Sequence, residues 1–515
     1  MHFLTDNERT EIFYSAAHTG VIFNYVTKKQ KLLQGHCNQI TSILCSEDKN
    51  WVVTADAGDD SMLVVWNSHS GTPVRTFLKP HPGGIKMMDL SSDNLYIATL
   101  GADDPQTCSL WDWTDKDKDG PQVSMKFDYQ AIGSAHWIKF NPQDPHELAC
   151  NGPSRVLFMK WTLQSDTFQY YGAPVGKDNS ASKDELYTKT IFLPNTEKAV
   201  TGTANGEILV WEVSKIKTGI GQIGEKKLEK IVSLNIDQSA INILLTVDNY
   251  LVCGNADGTI RFYDVFFKAE AWFEDQNLSS VKSISFSKKS PTASATDSHI
   301  DQEKANGSRF ACSDFLVADS NGMVAELSAK MYEAIDTKSK RGATLMMGLK
   351  SAISAIAVHP NRPYLAVAQD DGWIGVYDYE QDFNLVIYDD ITKKDKKSND
   401  KGGVPDRAPR IGDTRDGRPA RKRLITCMEF TPDGELLIAL AKGKIEVMSM
   451  DAEQKLLAEY PSDLAVSDKD RADVIQQLIV SADGKFFACS DSNNCVNLFK
   501  KDYLNPGEPD EQICW

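Results

Sequence analysis

Gly35-His36, Ile40-Thr41-Ser42-Ile43-Leu44-Cys45, Trp51-Val52-Val53-Thr54-Ala55-Asp56 and Met62-Leu63-Val64-Val65-Trp66 follow one another along the chain, parted by polar turn residues. Short runs rich in β-branched and aromatic residues between turn signals read as strands. One opening turn followed by three strands makes a unit, and the unit recurs. It returns at Gly84 to Trp113, with Tyr96-Ile97-Ala98-Thr99 in the middle and Leu110-Trp111-Asp112 at the end. Further copies end at Trp161, Trp211, Tyr263-Asp264, Leu327, Tyr377-Asp378, Met448 and Phe499, which makes nine repeats. A period of ~40–45 residues with short strands marks the blades of a β-propeller. The chain is therefore expected to be all-β.

The turns fit that architecture. Asn205-Gly206, Asp257-Gly258, Asp371-Gly372, Asp433-Gly434 and Asp483-Gly484 place a glycine where a tight hairpin needs positive φ. Alternating runs that end Trp-Asn, Trp-Asp, Trp-Glu or Tyr-Asp resemble the WD40 signature, although only Trp111-Asp112 is the literal dipeptide. On that resemblance His36, Trp66, Trp111, Asp112, Trp161, Trp211, Tyr263, Asp264, Tyr377 and Asp378 are structural blade positions. The aromatics are expected to pack between neighbouring blades.

At 515 residues the chain exceeds what one core of ~250–300 residues supports. Residues 1–34 read as a partial blade of three strands that lacks its innermost partner, to be completed by a strand from elsewhere. Residues 35–380 read as a first propeller with a disordered insertion at about 288–309. Residues 381–423 read as a basic flexible linker, and 424–515 as two blades of a second, incomplete propeller, truncated or completed by other strands.

The linker reverses the sign of the chain. The formal net charge is −16, which opposes nucleic-acid binding, yet Lys393, Lys394, Lys396, Lys397, Arg418, Arg421, Lys422 and Arg423 crowd into one segment. Two readings stand: a solvated tether, or an arm for an acidic polymer such as a tubulin surface. No window approaches the ~18 apolar residues of a membrane span, and the amino terminus has no signal-peptide pattern. Ten cysteines without a C-x-x-C pair suggest small buried hydrophobes of a reducing compartment, with neither disulfide framework nor zinc site. A cytosolic protein is expected.

Motifs for chemistry fail on inspection. Asp115 to Gly120 imitates half an EF-hand loop, but Pro121 and Lys126 occupy ligand positions of the other half. Gly219-Ile220-Gly221-Gln222-Ile223-Gly224 matches a dinucleotide fingerprint without the βαβ unit that gives it meaning. No enzyme, cofactor or metal is expected. A propeller enzyme would need carboxylates from several blades converging on the central channel, which sequence does not reveal.

Leu32-Leu33-Gln34-Gly35-His36-Cys37-Asn38, Trp51 to Asp56, Phe140-Asn141-Pro142, Gly206 to Trp211, Ile260 to Asp264 and Ser283 to Lys288 resemble the cilia- and flagella-associated protein 251 family, WD-repeat subunits of the calmodulin- and spoke-associated complex. The resemblance implies a scaffold of the motile-cilium axoneme at the radial spoke base, docking spoke components to doublet microtubules and supporting regulation of dynein-driven motility. It implies calmodulin, radial spoke proteins and other proteins of that complex as partners, with tubulin the candidate for the basic arm. Longer members carry an EF-hand region outside the matching residues, so calcium sensitivity would come from calmodulin or another partner. The competing reading is a cytosolic WD-repeat adaptor of another multiprotein complex.

Overall fold

The computed structural model describes residues 1–6, 8–127, 133–153, 155–164, 166–173, 186–214, 225–234, 239–274, 276–288, 310–332, 334, 340–346, 348, 351–370, 372–380, 384–390, 424–440, 443–450, 456–460, 474–492, 494–502 and 511–514. They form ten four-stranded antiparallel sheets. Within each sheet the strands pair in chain order, so strands that follow one another along the chain lie side by side. The turn glycines behave as their sequence demands: Gly206, Gly258, Gly372, Gly434 and Gly484 all have φ between 69° and 93°.

Two compact units divide the chain, Met1–Gly348 and Leu349–Trp515. The first holds seven sheets, here blades one to seven, spanning 2–33, 40–78, 85–126, 137–172, 187–233, 241–273 and 281–346. A blade is apolar on both faces and must bury each against a neighbour. Seven buried clusters do this. Leu4, Phe13 and Leu33 meet Val52 and Trp66 between blades one and two. Val53 and Phe77 meet Ile97 and Trp111 at the next junction, and Leu100 and Leu110 meet Ile138 and Trp161 at the third. Phe158 meets Phe192 and Trp211, Ile191 meets Leu251 and Tyr263, and Phe262 meets Val281 and Phe315. The seventh cluster joins Phe3 and Ile12 to Leu316 and Val324, which returns the last blade to the first. Seven sheets sharing seven cores form a closed ring, and closure removes the open edges a sheet would otherwise present.

The closing strand is the chain's own beginning. His2–Phe3 pairs with Glu11–Ala16, so blade one is complete and takes its innermost strand from within the chain, not from elsewhere. The Phe3 amide donates to Ser285 Oγ at 2.9 Å, Ser283 Oγ to the Met1 carbonyl at 2.9 Å, and the Lys288 amide to the Thr5 carbonyl at 3.2 Å. With blade one complete, the seventh junction closes at 281–346, and the unit ends at Gly348 rather than near residue 380. The sheet of 353–390, which the repeats alone would place in the first ring, lies in the second unit.

That unit has three sheets, at 353–390, 425–460 and 475–514. Two cores join them: Ile374 and Val376 with Phe430 and Ile438, then Leu437 and Val447 with Leu478 and Phe487. Ile353, Ile356 and Val358 on the first of these sheets and Ile479 on the third remain exposed. The insertion at 289–309, the loop carrying Gly219 to Gly224 and the basic segment 391–423 lie outside the described residues.

Candidate functional site

The polar side chains of the first ring are spent largely on holding blades in place. In blade two, Trp66 Nε1 donates to Thr54 Oγ1 at 2.8 Å, and Thr54 Oγ1 lies 2.7 Å from His36 Nε2. His36 Nδ1 stands 3.2 Å from Asp56 Oδ1. Burial holds His36 below its usual pKa, so the imidazole is neutral near pH 7. A neutral ring with its proton on Nδ1 accepts from the Thr54 hydroxyl at Nε2 and turns its N–H toward the side of the ring where the Asp56 carboxylate stands.

Blade three repeats the relay through a histidine that its Pro80-His81-Pro82 context conceals. Trp111 Nε1 donates to Thr99 Oγ1 at 2.9 Å, which lies 2.8 Å from His81 Nε2. His81 Nδ1 meets Thr107 Oγ1, whose hydroxyl donates to Asp103 Oδ2 at 2.8 Å. Thr54, Asp56, Thr99 and His81 are not legible as a set from the Gly-His signature. Their spacing is: histidine and threonine stand 18 residues apart in both blades, threonine and tryptophan 12.

The remaining blade positions diverge. Trp211 Nε1 still donates to Thr201 Oγ1 at 2.8 Å, with Thr190 Oγ1 at 2.8 Å from Thr201 in place of a histidine. Trp161 lacks a threonine partner and donates to the Pro145 carbonyl, and the Tyr263 hydroxyl reaches the Leu234 carbonyl at 3.5 Å. Trp66, Trp111, Trp161, Trp211 and Tyr263 each lie in the core shared with the preceding blade. Asp112, Asp264 and Asp378 instead cap the hairpin that follows, accepting from the amides of Thr114, Phe266 and Glu380 at 2.8–3.0 Å. Tyr377 and Asp378 belong to the second unit.

Links between blades add to these. The innermost strands of blades two, three, six and seven each carry one extra residue beside their first pair: Thr41, Lys86, Asn242 and Lys282. Thr41 Oγ1 donates to the Ile85 carbonyl and Asn242 Nδ2 to that of Val281, each a residue of the next blade, and Lys86 Nζ donates to that of Ala135, two residues before blade four begins. The Arg9 guanidinium spans blades one and two, donating to Ser68 Oγ at 2.9 Å and to the Lys49 carbonyl.

None of these contacts assembles a reactive centre. The loop at Asp115–Gly120 is held by Arg75, which donates to the carbonyls of Lys116 and Lys118 and pairs with Asp119. Among the described residues no group of three or more His, Cys, Asp or Glu stands close enough to hold a metal ion. Burial pushes the Cys108, Cys150 and Cys253 thiols well above their usual pKa, and Cys45 and Cys489 to about 11. Such thiols are poor nucleophiles. Cys495 departs from the all-thiol expectation: it is disulfide-bonded, and its register partner on the neighbouring strand is Cys514. Among the described residues no helix is long and apolar enough to cross a membrane. Lys393, Lys394, Lys396, Lys397, Arg418, Arg421, Lys422 and Arg423 lie outside the described residues.

Comparison with known proteins agrees with a WD-repeat chain. The family model described as CFAP251 N-terminal domain matches residues 1–332, and the WD domain, G-beta repeat, matches 343–378. Cilia- and flagella-associated protein 251 of Tetrahymena thermophila is 32% identical over 98% of this chain and 49% of its own length. The protein of that name from Chlamydomonas reinhardtii is 30% identical over 96% of this chain and 57% of its own length. That from Mus musculus is 27% identical over 73% of this chain and 28% of its own length. The chain spans about half the length of the first two relatives.

Proposed function

Because the chain belongs to the cilia- and flagella-associated protein 251 family, sharing its N-terminal domain over residues 1–332, we propose that it is a non-catalytic scaffold of the motile-cilium axoneme. In this reading it is a subunit of the calmodulin- and spoke-associated complex at the radial spoke base. There it docks spoke components to doublet microtubules and supports regulation of dynein-driven motility, with calmodulin and radial spoke proteins among its partners. The observation that carries the reading is the family match over a ring whose blades are joined by seven buried cores. Such a ring is stiff and presents several loop-bearing surfaces at once, which suits a load-bearing junction.

We further read the three sheets after Leu349 as the beginning of a second propeller. The exposed Ile353, Ile356 and Val358 are the kind of surface another blade would cover. The segment 391–423 is proposed as a tether or as an arm for the acidic tubulin surface. Localisation of a tagged chain tests the main reading. Retention in demembranated cilia is the expected result; a diffuse signal extracted by mild detergent would favour an adaptor in another pathway.

A further inference from the structure

Seven innermost strands encircle the axis of the first ring: His2–Phe3, Ile40–Cys45, Ile85–Leu90, Trp137–Asn141, Tyr187–Phe192, Ile241–Val247 and Val281–Phe286. Their lysines and carboxylates are Lys86, Lys139, Lys189 and Lys282 against Asp89 alone. Composition would favour the opposite, since the chain has 72 acidic to 56 basic residues. The neutral imidazole of His2, its pKa drawn down to about 3 by burial, adds no charge.

Asp89 is already committed. Its Oδ1 accepts from Lys139 Nζ and its Oδ2 from the Phe140 amide, both at 2.8 Å. Lys86 Nζ donates to the neutral Ser134 Oγ and Ala135 carbonyl at 2.9 and 3.0 Å. Lys189 Nζ lies 4.4 Å from the centroid of the Trp137 ring, with no carboxylate at ion-pair distance among the described residues. Lys282 is exposed. A crowded cation held by an aromatic face leaves its potential unspent, and a channel lined by one sign of charge concentrates the opposite sign.

We propose that the axial channel of the first ring receives an acidic segment of a partner protein, whose carboxylates meet Lys189 and Lys282 with Lys86 and Lys139 flanking them. A peptide suits the arrangement because the four lysines belong to the innermost strands of four different blades, which an extended chain of carboxylates can visit in turn. Burial and the neighbouring Lys139 draw the Lys189 pKa down to about 8, consistent with a cation that gains from a carboxylate. The inference stands apart from the ciliary reading, because purified chain reports peptide binding without an axoneme.

The test is fluorescence anisotropy of a labelled hexaglutamate peptide with the whole chain. Salt-sensitive binding is expected, weakened about tenfold or more in the Lys189→Gln/Lys282→Gln variant. Lys268→Gln, removing an exposed lysine 3.5 Å from Glu270 on blade six, should leave it unchanged. Lys282→Gln alone, at an exposed position, should show a partial loss with an unaltered melting temperature, separating lost binding from lost folding. Equal binding by the double variant, or absence of binding by the unaltered chain, would overturn the proposal. So would competition by inorganic phosphate as effective as unlabelled peptide, which would assign the channel to a small anion.

Discussion

Lys226 Nζ, on the outermost strand of blade five, donates to Glu147 Oε1 of blade four at 2.6 Å, with both side chains nearly withdrawn from solvent. Glu147 Oε2 accepts from Asn141 Nδ2 at 2.7 Å, and the ammonium sits 5.2 and 5.3 Å from the ring centroids of Phe158 and Phe192. Two charges buried together offset each other's loss of water. One charge buried alone does not.

Lys226→Met should therefore destabilise the chain by roughly 3–5 kcal/mol, while adding Glu147→Leu should restore a large part of the loss. Urea unfolding followed by tryptophan fluorescence measures both. A double variant no more stable than the single would show that the pair is not coupled.

The relay through His81 predicts a pH dependence. Burial draws its pKa from 6.5 to about 4. Between those values the unfolded chain binds a proton that the folded chain refuses, so stability is full above pH 6.5 and falls as the pH drops toward 4. Below that both states are protonated and this contribution no longer changes. His81→Asn removes the effect, so the variant should lose on the order of 3 kcal/mol less than the unaltered chain across that window. Parallel curves for the two would contradict the burial of a neutral imidazole.

Turn geometry gives a contrasting pair. Gly258 has φ +87°, and a Cβ there would stand 2.2 Å from the Leu278 carbonyl oxygen. Gly258→Ala should cost at least about 2 kcal/mol from strain and displaced backbone. At Gly172 the nearest atom to an added Cβ is Leu157 Cδ2 at 3.6 Å, so Gly172→Ala should shift stability by no more than ~0.5 kcal/mol. Melting curves of the two variants test the assignment.

Most of the blades were legible because each writes its own local grammar: alternation, a turn glycine, then an aromatic such as Trp211 closing the third strand. What sequence withheld was non-local. Two residues, His2 and Phe3, have no measurable period, yet they complete blade one and determine where the ring closes. Repeats at 281–346 and 353–390 look alike in sequence; only burial of Leu316 and Val324 against Phe3 and Ile12 distinguishes the closing blade from the one that follows. His81 was hidden between prolines although its spacing matched His36. Lys139, Lys189 and Lys282 are far apart along the chain and acquire a common axis only through the ring. The site was therefore less legible than the fold, because it is assembled from single residues of separate repeats.

Closure of the first ring is tested most directly by replacing Phe3 with a photo-crosslinking phenylalanine and mapping the product by mass spectrometry. Crosslinks should fall on the strands at Phe315–Asp319 and Val324–Leu327, where Leu316 and Val324 share a core with Phe3. Crosslinks to the sheet at 353–390 would instead place that sheet beside blade one and contradict a seven-bladed ring.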